Sequence, residues 1–149
     1  MDIGCGMDHF TIGLAELVGE AGRVIAVDLQ QQMLDVMLKR ARKRGLDQRI
    51  ISHRAQPDSI CIATQVEFIL AFWMIHEVSD PAIFFREVAA NLKPSAKLLY
   101  TEPTFHVTEK KFNEILATAY QAGLKKTKVL TVRFSRAALL ERTVKRLYD

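Results

Sequence analysis

The sequence predicts an α/β fold on a mostly parallel sheet, and three observations predict it. Short apolar runs alternate with longer stretches of helical period along the whole chain. The runs are apolar almost throughout, as strands buried on both faces require. No repeat, low-complexity tract or Pro/Gly-rich linker interrupts the alternation, so residues 1–149 read as one domain.

Met1-Asp2-Ile3 reads as the end of a strand, followed by a turn at Gly4 to Gly6. Phe10, Leu14, Leu17 and Val18 follow the i, i+4, i+7, i+8 rule and predict a first helix. Val24 to Val27 is an apolar strand that ends in Asp28. Met33, Leu34, Met37, Leu38 and Ala41 form the next apolar stripe, and Gly45 is its stop. Ile50 to Ser52 and Val66 to Phe72 are strand candidates. Asp80 can cap the following helix and Pro81 suits its first turn. Phe84, Phe85, Val88 and Leu92 are its buried stripe, and Lys93-Pro94 ends it. Lys97 to Thr101 is a further strand. Thr108 is the expected cap of a helix that buries Phe112, Ile115, Leu116 and Ala119 and stops at Gly123. Two β-leaning segments, Lys126 to Phe134 and Ala137 to Thr143, have no helix between them and predict an antiparallel pair at the sheet edge.

Composition narrows the function. The chain is 49% apolar and 26% charged, an ordinary globular balance. No run of 18 apolar residues is present, so no membrane span is expected. The net charge of +4 is modest. The basic cluster Lys39, Arg40, Arg42, Lys43 and Arg44 falls at a helix C-terminus, where cations complement the dipole. Without stacking aromatics beside it, it reads as a solvated face and not a nucleic-acid footprint. Two cysteines are too few for a disulfide framework or a closed zinc site, and His9, His53 and His106 lack metal-ligand spacing. No signal-peptide pattern opens the chain, and a reducing cytoplasm is the expected compartment.

The chemistry concentrates at Met1 to Phe10. Gly4 and Gly6 remove side chains where a ligand approaches the backbone. The helix that follows would turn its N–H groups towards an anionic ligand group. Asp28 ends the neighbouring strand 22 residues beyond Gly6, the distance at which an acid accepts from a ribose diol. Turn and acid together point to an adenosine-type ligand. A dinucleotide fingerprint, as in a nicotinamide or flavin oxidoreductase, requires a third glycine where His9 stands.

The turn, with Asp2, Gly4 and Gly6, instead resembles the first motif of class I S-adenosylmethionine-dependent methyltransferases, Asp-x-Gly-x-Gly-x-Gly, with Asp8 at the last glycine. The resemblance continues through Leu14 to Gly19, Gly22 to Asp28, Val66 to Val78, Phe84 to Val88, Leu92-Lys93-Pro94 and Leu98 to Pro103. It is nearest to the small-molecule methyltransferases related to the ubiquinone and menaquinone enzymes. It implies a Rossmann-like three-layer fold, S-adenosylmethionine as cofactor and a small-molecule acceptor. It implies that Asp2, Gly4, Cys5 and Gly6 form the cofactor turn, with Gly4 and Gly6 facing the methionine part. Asp28 would bind the ribose, Leu29 and Met33 would flank the adenine, and Ala55 and Gln56 would lie near it. Ala71 and Phe72 would line the sulfonium region. An acid often follows the third strand of the family; here Arg54 stands there, with Gln56 or Asp58 as substitutes. Pro94-Ser95-Ala96-Lys97 replaces a turn in which the family prefers two glycines. Met1 falls inside the family's first strand, so the usual N-terminal helices lie outside this chain.

Each residue also has a plainer role. Cys5 reads as a small buried residue, not a nucleophile. Met33 and Met37 read as core. Trp73 is either core or a wall of the substrate pocket. His76 reads as structural or as a general base, because histidine titrates near neutrality. Methyl transfer needs alignment and no dedicated base. A catalytically inactive relative that serves binding or assembly is the main alternative. Uncovered apolar surface would favour association with a second copy.

Overall fold

The computed structural model describes residues 1–143. The chain divides into two compact units, Met1–Ile60 and Cys61–Asp149.

The first unit contains β1 (Asp2–Ile3), α1 (Thr11–Leu17), β2 (Val24–Asp28), α2 (Gln31–Lys43) and β3 (Ile50–Arg54), with a 3-10 turn at Asp47–Arg49. Parallel strands need crossover connections, and α1 and α2 supply them. Asp2 pairs with Ala26 and Asp28 with Arg54, so the strands run in the order β3-β2-β1. The core gathers Ile12, Ala15, Val24, Ala26, Leu34, Met37, Ala41 and Ile50. Leu34, Met37 and Ala41 are the stripe expected for α2, and Gly45 takes the left-handed conformation of a helix stop (φ 67°). Arg40, Arg42 and Lys43 lie in the last turn of α2, as expected.

The first helix differs from expectation. Its buried residues are Thr11, Ile12 and Ala15, while Leu17 is 83% exposed and Val18 is exposed. The segment is apolar on two faces; Ile12 and Ala15 take the core, and Leu14 packs against it partly buried.

The second unit contains β4 (Val66–Phe72), α3 (Pro81–Asn91), β5 (Leu92–Pro103), α4 (Glu109–Gln121), β6 (Leu124–Val129) and β7 (Ser135–Arg142), with a 3-10 turn at Ile75–Glu77. β4 and β5 are parallel; β7 lies antiparallel between β5 and β6. The antiparallel C-terminal pair is therefore present. Asp80 caps α3 through Ala82 and Ile83, and Thr108 caps α4 through Lys111. Phe84, Phe85, Val88, Phe112, Ile115, Leu116 and Ala119 are buried as expected.

Several boundaries move, among them the start of β7, which is Ser135 and not Ala137. β3 runs on to Arg54. Lys93-Pro94 lies within β5, because α3 already stops at Asn91 and the register shifts opposite Val66 and Phe68. An irregularity of this kind tolerates proline. β6 begins at Leu124 and ends at Val129, not Phe134. The β-forming residues that follow belong to the connection, where Val132 bridges Ser135 and Phe134 turns left-handed (φ 57°).

Candidate cofactor and acceptor site

At the carboxyl end of β1 the chain turns sharply back over β2. The amides of Gly4 and Cys5 both donate to the carbonyl of Val27, at 2.8 and 3.1 Å. Gly4 and Gly6 are left-handed, with φ of 72° and 56°. A Cβ on Gly6 would meet nothing within 4 Å, so the backbone conformation demands glycine and leaves open space before it. The amide of Gly6 donates to Oδ2 of Asp28 at 2.9 Å, and the amide of Gln30 donates to Oδ1 at 2.9 Å. The structure thus brings Gly4, Gly6 and Asp28 together, as the sequence spacing anticipates.

The surrounding residues support this end of the unit. Asp2 is 2% exposed, and its Oδ2 accepts from the Thr11 hydroxyl at 2.6 Å, tying β1 to α1. Burial pushes the Asp2 carboxyl above its usual range, against the opposing pull of that hydrogen bond. Burial, then the charges of Asp2 and Asp28, push the Cys5 thiol up to about 12. A thiol so held is not a nucleophile near neutrality, in keeping with its plain reading. Leu29 is 51% exposed, Met33 is half-buried and Met37 is fully buried. The Leu29 carbonyl accepts from Nε of Arg54 at 3.3 Å, and the Asp28 carbonyl accepts from the Ala55 amide at 2.9 Å. Ala55 is half-buried, and exposed Gln56 closes a tight turn with Ser59.

Asp8, at the position of the third family glycine, is left-handed with φ 85°. Its Oδ1 accepts from the Ile12 amide at 2.9 Å. A first-turn N–H expected to face a ligand anion is thereby already paired within the chain.

In the second unit the relevant residues follow β4. Ala71 is fully buried, and Phe72 and Trp73 are half-buried. Trp73 is left-handed (φ 58°), a conformation that costs a bulky residue about 1–2 kcal/mol. Its amide donates to the Thr101 carbonyl at 3.0 Å and its indole N–H to the Ser135 hydroxyl at 2.8 Å. The ring stacks on Phe72 (5.1 Å) and meets Phe105 edge-on (5.4 Å). His76 is held by Glu102, whose Oε1 accepts from the His76 amide at 3.0 Å and whose Oε2 lies 2.5 Å from Nδ1. The Glu102 side chain has no exposed surface. Burial pushes its carboxyl up, against the hydrogen bonds from His76 and Ile75. The sequence singles out His76 but not Glu102. The signal available was an acid closing an apolar strand, the same pattern that marks Asp28.

A sequence profile described as a methyltransferase domain matches residues 1–95. The chain belongs to the methyltransferase-domain family. A demethylmenaquinone methyltransferase of Lactobacillus johnsonii is 29% identical to this chain over 99 residues, 66% of the chain and 41% of the relative. One of Bacillus cereus is 26% identical over 102 residues, 68% of the chain and 43% of the relative. The chain thus spans about two fifths of the length of these relatives. A solved S-adenosylmethionine-dependent methyltransferase of Aquifex aeolicus superposes with a TM-score of 0.82 at 24% identity, covering 93% of this chain and 79% of its own. The [4+2]-cyclase SpnF gives 0.80 at 16% identity, covering 96% and 74%. These likenesses establish the Rossmann-like α/β fold, mostly parallel with its antiparallel C-terminal pair. Among the described residues no helix is long and apolar enough to cross a membrane, and no group of three or more His, Cys, Asp or Glu could hold a metal ion.

Proposed function

We propose that this methyltransferase binds S-adenosylmethionine and transfers its methyl group to a small-molecule acceptor. The observation that carries the reading is the Gly6–Asp28 hydrogen bond. It sets a carboxylate beside a turn in which Gly6 leaves open space, and a nucleoside needs both. The residues fit the cofactor: Asp28 keeps lone pairs for ribose hydroxyls, exposed Leu29 and half-buried Met33 offer apolar surface for adenine, and Ala55 and Gln56 close the adjoining turn. Asp2 and Cys5 stiffen the turn from within. By the family resemblance Ala71 and Phe72 line the sulfonium region, and Trp73 and His76 lie on the acceptor side. The names of the demethylmenaquinone relatives favour a small organic acceptor over a macromolecule.

The experiment is calorimetry of the chain with S-adenosylmethionine and S-adenosylhomocysteine. Binding of both in the micromolar range is the expected result; no heat at millimolar ligand overturns the reading. The second reading, a relative that keeps the fold without methyl transfer, is favoured by one observation. Asp8 brings a negative charge into the turn and uses an amide that a glycine would leave open. That SpnF, a cyclase, shares the fold shows why likeness of fold does not decide the reaction.

A further inference from the structure

We propose that Arg40 is a positioning residue for the turn after β1. By holding the Met7 carbonyl it keeps Asp8 left-handed, at a position where the family pattern has a glycine that needs no such support. This rests on the methyl-transfer reading above and names a residue on which the turn's hold on the cofactor depends.

All the residues involved belong to the unit Met1–Ile60. Arg40 is part of the basic cluster in the last turn of α2. Its neighbours Met37 and Ala41 are fully buried, which fixes the helix beneath it. From there its Nη1 donates to the Met7 carbonyl at 2.5 Å, across 33 residues of chain. A bond from a charged donor is shorter and stronger than one between neutral groups. It ties the turn to α2. The same turn is tied to β2 by the Gly6 amide, which donates to Asp28, and to α1 by the Ile12 amide, which donates to Asp8. Packing adds little: Met7 is 49% exposed, and a Cβ on Gly6 would meet nothing within 4 Å.

The Met7 carbonyl and the Asp8 amide belong to one planar trans peptide, so they point in opposite directions. With the carbonyl turned towards Arg40, the N–H faces back over the turn and meets the Cys5 carbonyl at 3.3 Å. That contact is longer than the usual range of about 2.7–3.2 Å and holds the peptide weakly. A half-turn of this peptide would change the ψ of Met7 and the φ of Asp8 together. Asp8 stands at φ 85°, which is unfavourable for a residue with a Cβ, so the half-turn would relieve it by carrying it to a negative φ. Glycine gains nothing from the same move, because both signs of φ are open to it. Aspartate at this position therefore calls for a restraint that glycine does not, and Arg40 supplies it. Without it, a carbonyl oxygen would turn towards Cys5 in place of an N–H, and the turn would offer less to the cofactor's amino-acid group.

NMR of the chain without ligand reads the backbone directly. The HN–Hα coupling of Asp8 should report a positive φ in the unmodified chain and move towards the larger value of an extended residue in Arg40→Ala; an unmoved coupling overturns the proposal. Calorimetry reads the consequence. Arg40→Ala should lower S-adenosylhomocysteine affinity about 3- to 10-fold, the scale of one hydrogen bond, and Arg40→Lys, which keeps a charged donor, should restore part of it. Affinity for 5′-methylthioadenosine, a ligand without the amino-acid group, should change by less than about twofold, because the Gly6–Asp28 bond is untouched. Equal losses for both ligands mean a general loosening and overturn the assignment. A double-mutant cycle isolates the link to Asp8. In an Asp8→Gly background the Arg40→Ala change should cost less than about twofold for S-adenosylhomocysteine; a loss as large as in the unmodified chain overturns it. Tm should stay within about 2 °C in the Arg40 variants, because the bond lies at the surface, and a larger fall makes Arg40 a general support of the fold and refutes its positioning role. If the unmodified chain binds neither ligand, the methyl-transfer reading falls; if it binds both and the Arg40 variants behave like it, only the assignment to Arg40 falls.

Discussion

Replacing Asp28 by alanine removes the acceptor of two backbone amides and, by the proposed reading, of the ribose hydroxyls. Both Asp28 oxygens already accept at 2.9 Å, from Gly6 and from Gln30, and each retains a second lone pair. A hydrogen bond to an ionised carboxylate is worth about 1.5–3 kcal/mol, so S-adenosylhomocysteine affinity should fall roughly 10- to 150-fold. The Gly6 bond is partly buried and its loss should cost about 1 kcal/mol of stability, whereas the exposed Gln30 amide recovers water. For a chain of 149 residues that is about 2–4 °C in Tm. Asp28→Asn is the sharper probe. Its amide nitrogen must face the N–H of either Gly6 or Gln30, donor against donor, so the near-isosteric change should destabilise about as much as alanine. Calorimetry reads the affinity and thermal unfolding reads the stability. An Asp28→Ala affinity within twofold of the unmodified chain removes Asp28 from the nucleoside site, and an unchanged Tm in both variants refutes its hold on the turn.

Tyr100→Phe should raise Tm by about 2–4 °C, because the Tyr100 hydroxyl is buried without a hydrogen-bond partner among the described residues and such a group costs about 1 kcal/mol or more; a lower Tm in thermal unfolding shows the hydroxyl is bonded in solution. Asp2, raised above 3.8 by burial, favours folding below its unfolded value and loses that advantage as pH rises through its folded value. Asp2→Asn keeps an oxygen for Thr11, so its stability relative to the unmodified chain should grow from about pH 4 to neutrality in urea unfolding; a constant difference refutes the burial argument. Asp8→Asn should bind S-adenosylhomocysteine several-fold more tightly, on the scale of about 1 kcal/mol for a solvated charge pair, with Tm nearly unchanged; weaker binding makes Asp8 a ligand contact.

The sequence shows the fold wherever one physical signal acts alone. The caps Asp80 and Thr108, the stripe of α2 and the apolar run Val66–Phe72 each satisfy a single rule and appear as read. It misleads where two rules compete. α1 is apolar on two faces, and packing decides between them. The residues after Val129 favour strands, but the left-handed backbone at Phe134 bends them into a connection. The Gly6–Asp28 contact is legible because its parts lie in one short turn and one strand end. The His76–Glu102 contact is not, because the two are 26 residues apart and meet only through the β4–β5 register, which pairs Phe72 with Thr101.

The departures from the family pattern separate shape from charge. A glycine retained for its backbone can be replaced only by a residue that tolerates a left-handed φ, and both substitutes here adopt one: Asp8 at 85° and Ser95 at 64°. Both positions therefore take a backbone conformation that glycine adopts readily. Aspartate is among the residues that visit this region most readily, since its short side chain bonds locally, and Asp8 does so to Ile12. At Asp8 the side chain changes what the turn offers a ligand: one amide fewer and one negative charge more. Its effect should fall on the carboxylate end of the cofactor and spare the nucleoside end. The affinity for 5′-methylthioadenosine, which lacks the amino-acid group, should therefore be the same for Asp8→Asn and the unmodified chain, even as the affinity for S-adenosylhomocysteine rises.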